Sequence, residues 1–95
     1  MHVITRKRIS EFGGLHADSK GSLSAWYAIM DKTIFKSFAE LRKTFPSADL
    51  VGNKVVFNIG GNKYRLIAAV HFNRGKLYIR NILTHAEYDK GGWKK

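Results

Sequence analysis

The chain has 95 residues, 44% hydrophobic and 13% aromatic, enough for one modest core and too few for two, so residues 1–95 are expected to form a single domain. It contains no cysteine, which excludes a disulfide framework and a thiolate metal site. Seventeen Lys and Arg against seven Asp and Glu leave a formal net charge of +10, a field that attracts polyanions, with nucleic acid first among them and an acidic protein second.

"MHVITRKRIS" has basic residues but no apolar segment behind them, and no apolar run approaches the ~20 residues that span a bilayer. A soluble cytosolic protein is expected, with no membrane partner. His2 to Ile4 reads as a short strand. Thr5 is placed to cap a helix through about Phe12, which Gly13 and Gly14 should end. Asp18 or Ser22 can cap a second helix, in which Leu23, Trp26, Tyr27 and Met30 fall at i, i+3, i+4 and i+7 as an apolar stripe. "SFAE" at 37–40 has the pattern of a capping box; Leu41 and Phe45 follow, and Pro46 stops that helix.

After Pro46 the hydrophobic period changes to two: Val55, Phe57, Ile59; then Tyr64, Leu66, Ala68, Val70, Phe72; then Leu77, Ile79. The expected fold is α+β, a small antiparallel β-sheet with N-terminal helices packed on one face. The last six residues, "KGGWKK", read as a loose tail.

Centring the first hairpin on Gly61-Asn62 pairs Ile59 with Tyr64, Asn58 with Arg65 and Phe57 with Leu66. The apolar alternation then covers one face, and Asn58, Lys63, Arg65, Ile67 and His71 collect on the other. A loop at 73–76 pairs Phe72 with Leu77 and Ala69 with Arg80, which adds Tyr78, Arg80, Ile82 and Thr84 to the polar face and sets Thr84 opposite Arg65. Asn81 falls on the apolar face in this register, and a one-residue slip of the second turn would instead carry Tyr78, Arg80 and Thr84 to the other side. Arginine forks among aromatic and apolar groups suit phosphates and bases.

The four histidines (2, 16, 71, 85) show no metal-binding spacing, and no metal or cofactor is expected. Glu87 and Asp89 read as solvated. One metal-free reaction suits these residue types. In RNA cleavage the 2′-hydroxyl attacks its own adjacent phosphate, which requires a proton acceptor, a proton donor and cations for the phosphorane. His85, Tyr88, Lys63, Arg65 and Arg80 are the residues able to divide those roles.

"VVFNIGGNKYRLIAAVHF", "LYIRNILTHAEYDK" and the opening "MHVIT" resemble the HigB branch of the RelE-like type II toxins, most closely from Val55 to Lys90. The resemblance implies the RelE-like toxin fold and a ribosome-dependent endoribonuclease that cuts messenger RNA during translation. It also implies a cognate helix-turn-helix antitoxin of the HigA type, the complex of the two binding operator DNA. Arg65 matches the strand arginine set against the scissile phosphate. Asn58 stands where RelE-type members often carry a lysine, so it cannot supply that charge. His85 and Tyr88 lie in the C-terminal segment from which the family draws acid–base or base-stacking groups. The resemblance thus implies Arg65, His85, Tyr88 and Asn58 as catalytic residues, and Lys63, Arg80, Tyr78, His71 and Lys90 are expected to bind RNA. The alternatives are a non-catalytic RNA- or ribosome-binding module on the same face and an adaptor for an acidic protein.

Overall fold

A computed structural model describes residues 1–94. In chain order the elements are β1 (His2–Ile4), α1 (Lys7–Leu15), α2 (Lys20–Lys32), α3 (Phe38–Thr44), β2 (Asp49–Val51), β3 (Lys54–Ile59), β4 (Tyr64–His71), β5 (Lys76–Thr84) and α4 (His85–Asp89). Short 3₁₀ turns lie at Ala17–Ser19, Phe72–Arg74 and Gly92–Lys94. The five strands form one sheet in the order β1-β5-β4-β3-β2. All pairings are antiparallel except β1 with β5, which run parallel.

The α+β expectation holds, and the apolar stripe of α2 explains why. Leu23, Trp26 and Met30 are buried, together with Phe12 of α1 and Leu41 of α3, against Val55, Phe57, Ile59, Leu66, Ala68, Leu77 and Ile79 of the sheet. Each such side chain contributes about 1.5–3 kcal/mol by leaving water, so this layer holds the helices to the sheet. Trp26 and Phe45 both meet Phe57 edge-on, with ring centroids 5.4 and 5.3 Å apart. Tyr27, at the margin of the stripe, is half-buried and accepts a hydrogen bond from Arg6 Nη1 at 3.0 Å.

Several local expectations change. Thr5 does not cap α1. It adopts the left-handed backbone (φ 66°), and its hydroxyl takes a hydrogen bond from the backbone N–H of Ile79 at 3.0 Å, tying the end of β1 to β5. Gly13 and Gly14 do not end α1, which runs on to Leu15. Glycine weakens a helix by about 1 kcal/mol without forbidding it. At Gly13 the bare backbone makes room for Lys20, whose Cγ would lie 3.1 Å from an added Cβ. Neither Asp18 nor Ser22 caps α2: the N-cap is Ser19, and Asp18 is bonded elsewhere. Ser37 does cap α3, accepting from Glu40 N at 3.2 Å, while Glu40 reaches the backbone of Lys36 instead of closing the box on Ser37. Strand β2 is an addition, folded back on β3 through Gly52-Asn53, a hairpin turn pair visible in the sequence.

The first long hairpin has the register expected for it, with Asn58 opposite Arg65. The second does not. Its loop is 72–75, which pairs His71 with Lys76, Val70 with Leu77 and Ala69 with Tyr78. That slip of two residues leaves Tyr78 on the expected face. A β-bulge then intervenes, because Ala68 pairs with Ile79 and Ile67 with Asn81, leaving Arg80 as the extra residue. Past a bulge the alternation reverses. Asn81 and Leu83 therefore turn to the open face, and Ile82 packs on the helical core. Leu83 stands opposite Arg65, whereas Thr84 pairs with Tyr64.

The expected loose tail is folded back. Trp93 is buried on the face of the sheet opposite the helices, in a second small cluster with Val56 and Ile67, flanked by Val51, Leu83 and Tyr88. Lys95 lies outside the described residues.

Candidate active site

The open face of the sheet carries a stack of three side chains. Tyr88 of α4 and Trp93 lie ring on ring, centroids 5.0 Å apart and 15° from parallel, and the guanidinium carbon of Arg65 sits 5.4 Å from the centre of the Tyr88 ring. The stack is anchored at its base. Trp93 rests on Val56 and Ile67, and its Nε1–H donates to the Tyr88 carbonyl at 3.0 Å. A cation over an aromatic face is held by about 0.5–1 kcal/mol at such a surface.

Arg65 is fixed a second way. Its Nη1 donates to the carbonyls of Asn62 and Tyr64, each at 3.2 Å, and its Nη2 to the side-chain oxygen of Asn62 at 3.4 Å. Among the described residues three of the five guanidinium N–H groups are engaged by the protein, and two remain for a ligand. Asn58, its cross-strand partner, sets a neutral amide beside it.

Helix α4 positions the other two candidates. Thr84 is its N-cap in a full capping box: Thr84 Oγ1 accepts from Glu87 N at 3.2 Å, and Glu87 Oε1 accepts from Thr84 N at 2.9 Å. The hydrogen bond from the Thr84 backbone, then that from its hydroxyl, holds the Glu87 carboxyl below its ordinary range. The backbone of His85 is pinned to the carbonyl of Lys63 at 3.1 Å. Within this single turn Tyr88 faces down onto the sheet and His85 faces out. His85 Nδ1 lies 3.0 Å from Asp89 Oδ2, one turn further on. A carboxylate on one imidazole nitrogen sets the tautomer and leaves Nε2 as the nitrogen open to a substrate.

Arg65, Asn58, Tyr88 and His85 therefore gather at one end of the open face. The RNA-binding candidates disperse. Lys63 turns toward the helical side, 3.5 Å from Asp18, because the hairpin turn spans Gly60–Lys63 with Gly60 and Gly61 left-handed. Asp18 also accepts from the Tyr64 hydroxyl at 2.6 Å; that bond lowers the Asp18 pKa and raises that of Tyr64. His71 and Tyr78 meet edge-on, 5.3 Å apart, at the far end of β4. His71 lies six positions further along β4 than Arg65, about 20 Å. Arg80 occupies the bulge, and exposed Lys90 is the C-cap of α4. Asn62, Asp89 and Trp93 were not foreseen as parts of the site. The i,i+4 spacing of His85 and Asp89 was the available signal for one of them.

The family described as HigB_toxin, RelE-like toxic component of a toxin-antitoxin system, matches residues 19–91. The chain belongs to the HigB toxin family. It is 38% identical over 92 residues to the mRNA interferase toxin HigB of Escherichia coli K12, covering 94% of this chain and 88% of that protein. A second relative, the mRNA interferase HigB of Escherichia coli O6:H1, is 32% identical over 93 residues, 95% of this chain and 90% of its own length. As a HigB-family member the chain is the toxic component of a toxin–antitoxin pair. The matched segment contains Asn58, Arg65, His85 and Tyr88 and stops short of Trp93. Among the described residues no helix is long and apolar enough to cross a membrane.

Proposed function

We propose that this HigB-family toxin is an endoribonuclease that cuts messenger RNA on the translating ribosome by attack of the 2′-hydroxyl on the adjacent phosphate. The observation that carries the reading is Arg65: a guanidinium fixed by Asn62, Tyr64 and the Tyr88 ring, with two donors that meet no acceptor among the described residues. Such a preorganised cation suits a phosphate whose charge grows in the transition state. The names of the relatives, mRNA interferases, agree with this chemistry.

In the reaction the 2′-oxygen bonds to phosphorus as the bond to the 5′-oxygen breaks, leaving a 2′,3′-cyclic phosphate and a 5′-hydroxyl. His85, oriented through Asp89, exchanges protons at Nε2. The Tyr88 hydroxyl meets the leaving group, its ring being held between Trp93 and Arg65. Asn58 supplies hydrogen bonds, not charge. A helix-turn-helix antitoxin of the HigA type neutralises the toxin, the pair binds operator DNA, and both act in the cytoplasm.

The test is single-turnover cleavage on programmed ribosomes beside a ribosome-binding assay for each variant. Arg65→Ala and His85→Ala should bind yet cleave slowly. Wild-type protein that binds ribosomes and cuts nothing would instead make this a non-catalytic binding module.

A further inference from the structure

A second feature of the open face also borders Trp93. It is a groove of about 410 Å³ lined by Thr5, Arg8, Lys54, Tyr78, Ile79, Arg80, Asn81 and Trp93. Its cations come from three separate elements: Arg8 from α1, Lys54 from β3 and Arg80 from the bulge in β5. No acidic residue lines it. None of the three cations makes an ion pair among the described residues, although Lys54 is half-buried.

The local backbone produces this convergence. Without the bulge, position 80 would pair within the sheet and its side chain would follow the pleat; as the extra residue it stands at the groove wall. The floor beside it is set by Thr5, a β-branched residue in left-handed conformation, which clamps the backbone of Ile79. Strain of this kind persists where the surroundings hold it, and it costs of order 1–3 kcal/mol. Two irregularities, one just after β1 and one in β5, thus meet under three cations that make no ion pair among the described residues.

We propose that this groove is a second phosphate subsite, which holds the sugar–phosphate backbone of single-stranded RNA beside the nucleotide at Arg65. The inference rests on the endoribonuclease reading above. Separated point charges with no N–H nest fit a run of phosphates better than one small anion. Trp93 borders both sites: its ring stacks on Tyr88, Lys94 Nζ lies 5.7 Å from its centroid, and the indole also lines the groove, so the two sites are contiguous.

The test measures binding of a short single-stranded RNA against salt concentration, with Arg65→Ala as background to prevent cleavage. Replacing Arg8, Lys54 and Arg80 together by alanine should lower the slope of log K against log salt by about 2, at about 0.7 per phosphate contact. Replacing Lys32, Lys36 and Lys43, which remove the same charge elsewhere, should leave the slope within a few tenths of the background value, a margin small against about 0.7 per contact. If the triple variant does not fold, Arg80→Glu, at an exposed bulge position, provides the same readout. A parallel measurement on ribosomes separates sources: loss on free RNA assigns the subsite to the message, loss on ribosomes alone assigns it to ribosomal RNA. An unchanged slope in both arms, or an equal fall in the control triple, overturns the proposal. Wild-type cleavage measured alongside distinguishes that outcome from failure of the endoribonuclease reading.

Discussion

Arg65 touches Asn62, the Tyr64 carbonyl and the Tyr88 ring but carries none of the helical core, so its removal tests chemistry apart from folding. Arg65→Ala should keep its thermal midpoint close to wild type and lose about 2.7–4 kcal/mol of transition-state stabilisation, a hundredfold or more in single-turnover rate. Full-rate cleavage by the folded variant would remove Arg65 from the reaction. At His85 the expected loss on substitution by alanine is about 10²–10⁴-fold, the usual yield of a positioned acid or base. The neighbouring carboxylate gives a sharper discrimination. Asp89→Asn keeps the shape of the 3.0 Å contact and withdraws its charge, so cleavage should slow while ribosome binding holds. Cleavage at full rate would mean that Asp89 only solvates the turn.

Helix α4 has five residues, too short to persist without its cap and its packing. Thr84→Ala removes the capping-box hydroxyl and should cost about 0.5–2 kcal/mol locally. The readout is faster amide exchange at Glu87 together with slower cleavage, and cleavage at full rate would show that the turn is held by Tyr88 and Trp93 alone. The elements also show where sequence patterns suffice. Gly-Gly-Asn between alternating strands set the first hairpin, hence the Asn58–Arg65 pair, because turn chemistry and apolar alternation agree there. The bulge at Arg80 has no comparable signature. It was legible only as the misfit of Asn81, and the reversal it causes moved Ile82 and Thr84 away from their expected neighbours. Trp93 was unreadable for a different reason. Glycines and lysines around one aromatic look like a tail until a sheet face with Val56 and Ile67 exists to receive it.

Across the whole molecule the charge of +10 is countered by few acids, and two of these carry the pH dependence of stability. Asp18 is held below its ordinary pKa chiefly by the Tyr64 hydroxyl, and Glu87 by the Thr84 backbone N–H and hydroxyl. A depressed carboxyl adds stability above its unfolded pKa and loses it as pH falls through the folded one. Tyr64 has the opposite sign: raised above about 10 by Asp18, it contributes below that value and fails as pH climbs through its folded pKa. Urea midpoints should therefore form a plateau from weakly acidic to moderately alkaline pH. Asp18→Asn should flatten both flanks, and a change on the acid flank alone would show that Tyr64 is not coupled to it. The same +10 makes an acidic antitoxin surface a natural complement, and co-expression of such a partner should restore growth with an affinity that falls as salt rises. The parallel seam between β1 and β5 bears on how the toxin is made. Thr5 bonds to Ile79 across 74 positions of chain, so the strand synthesised first waits, unpaired, for one of the last. Tyr88 and Trp93 follow later still. During its own translation the nascent protein has neither a closed sheet nor an assembled Arg65 stack before Tyr88 and Trp93 are in place.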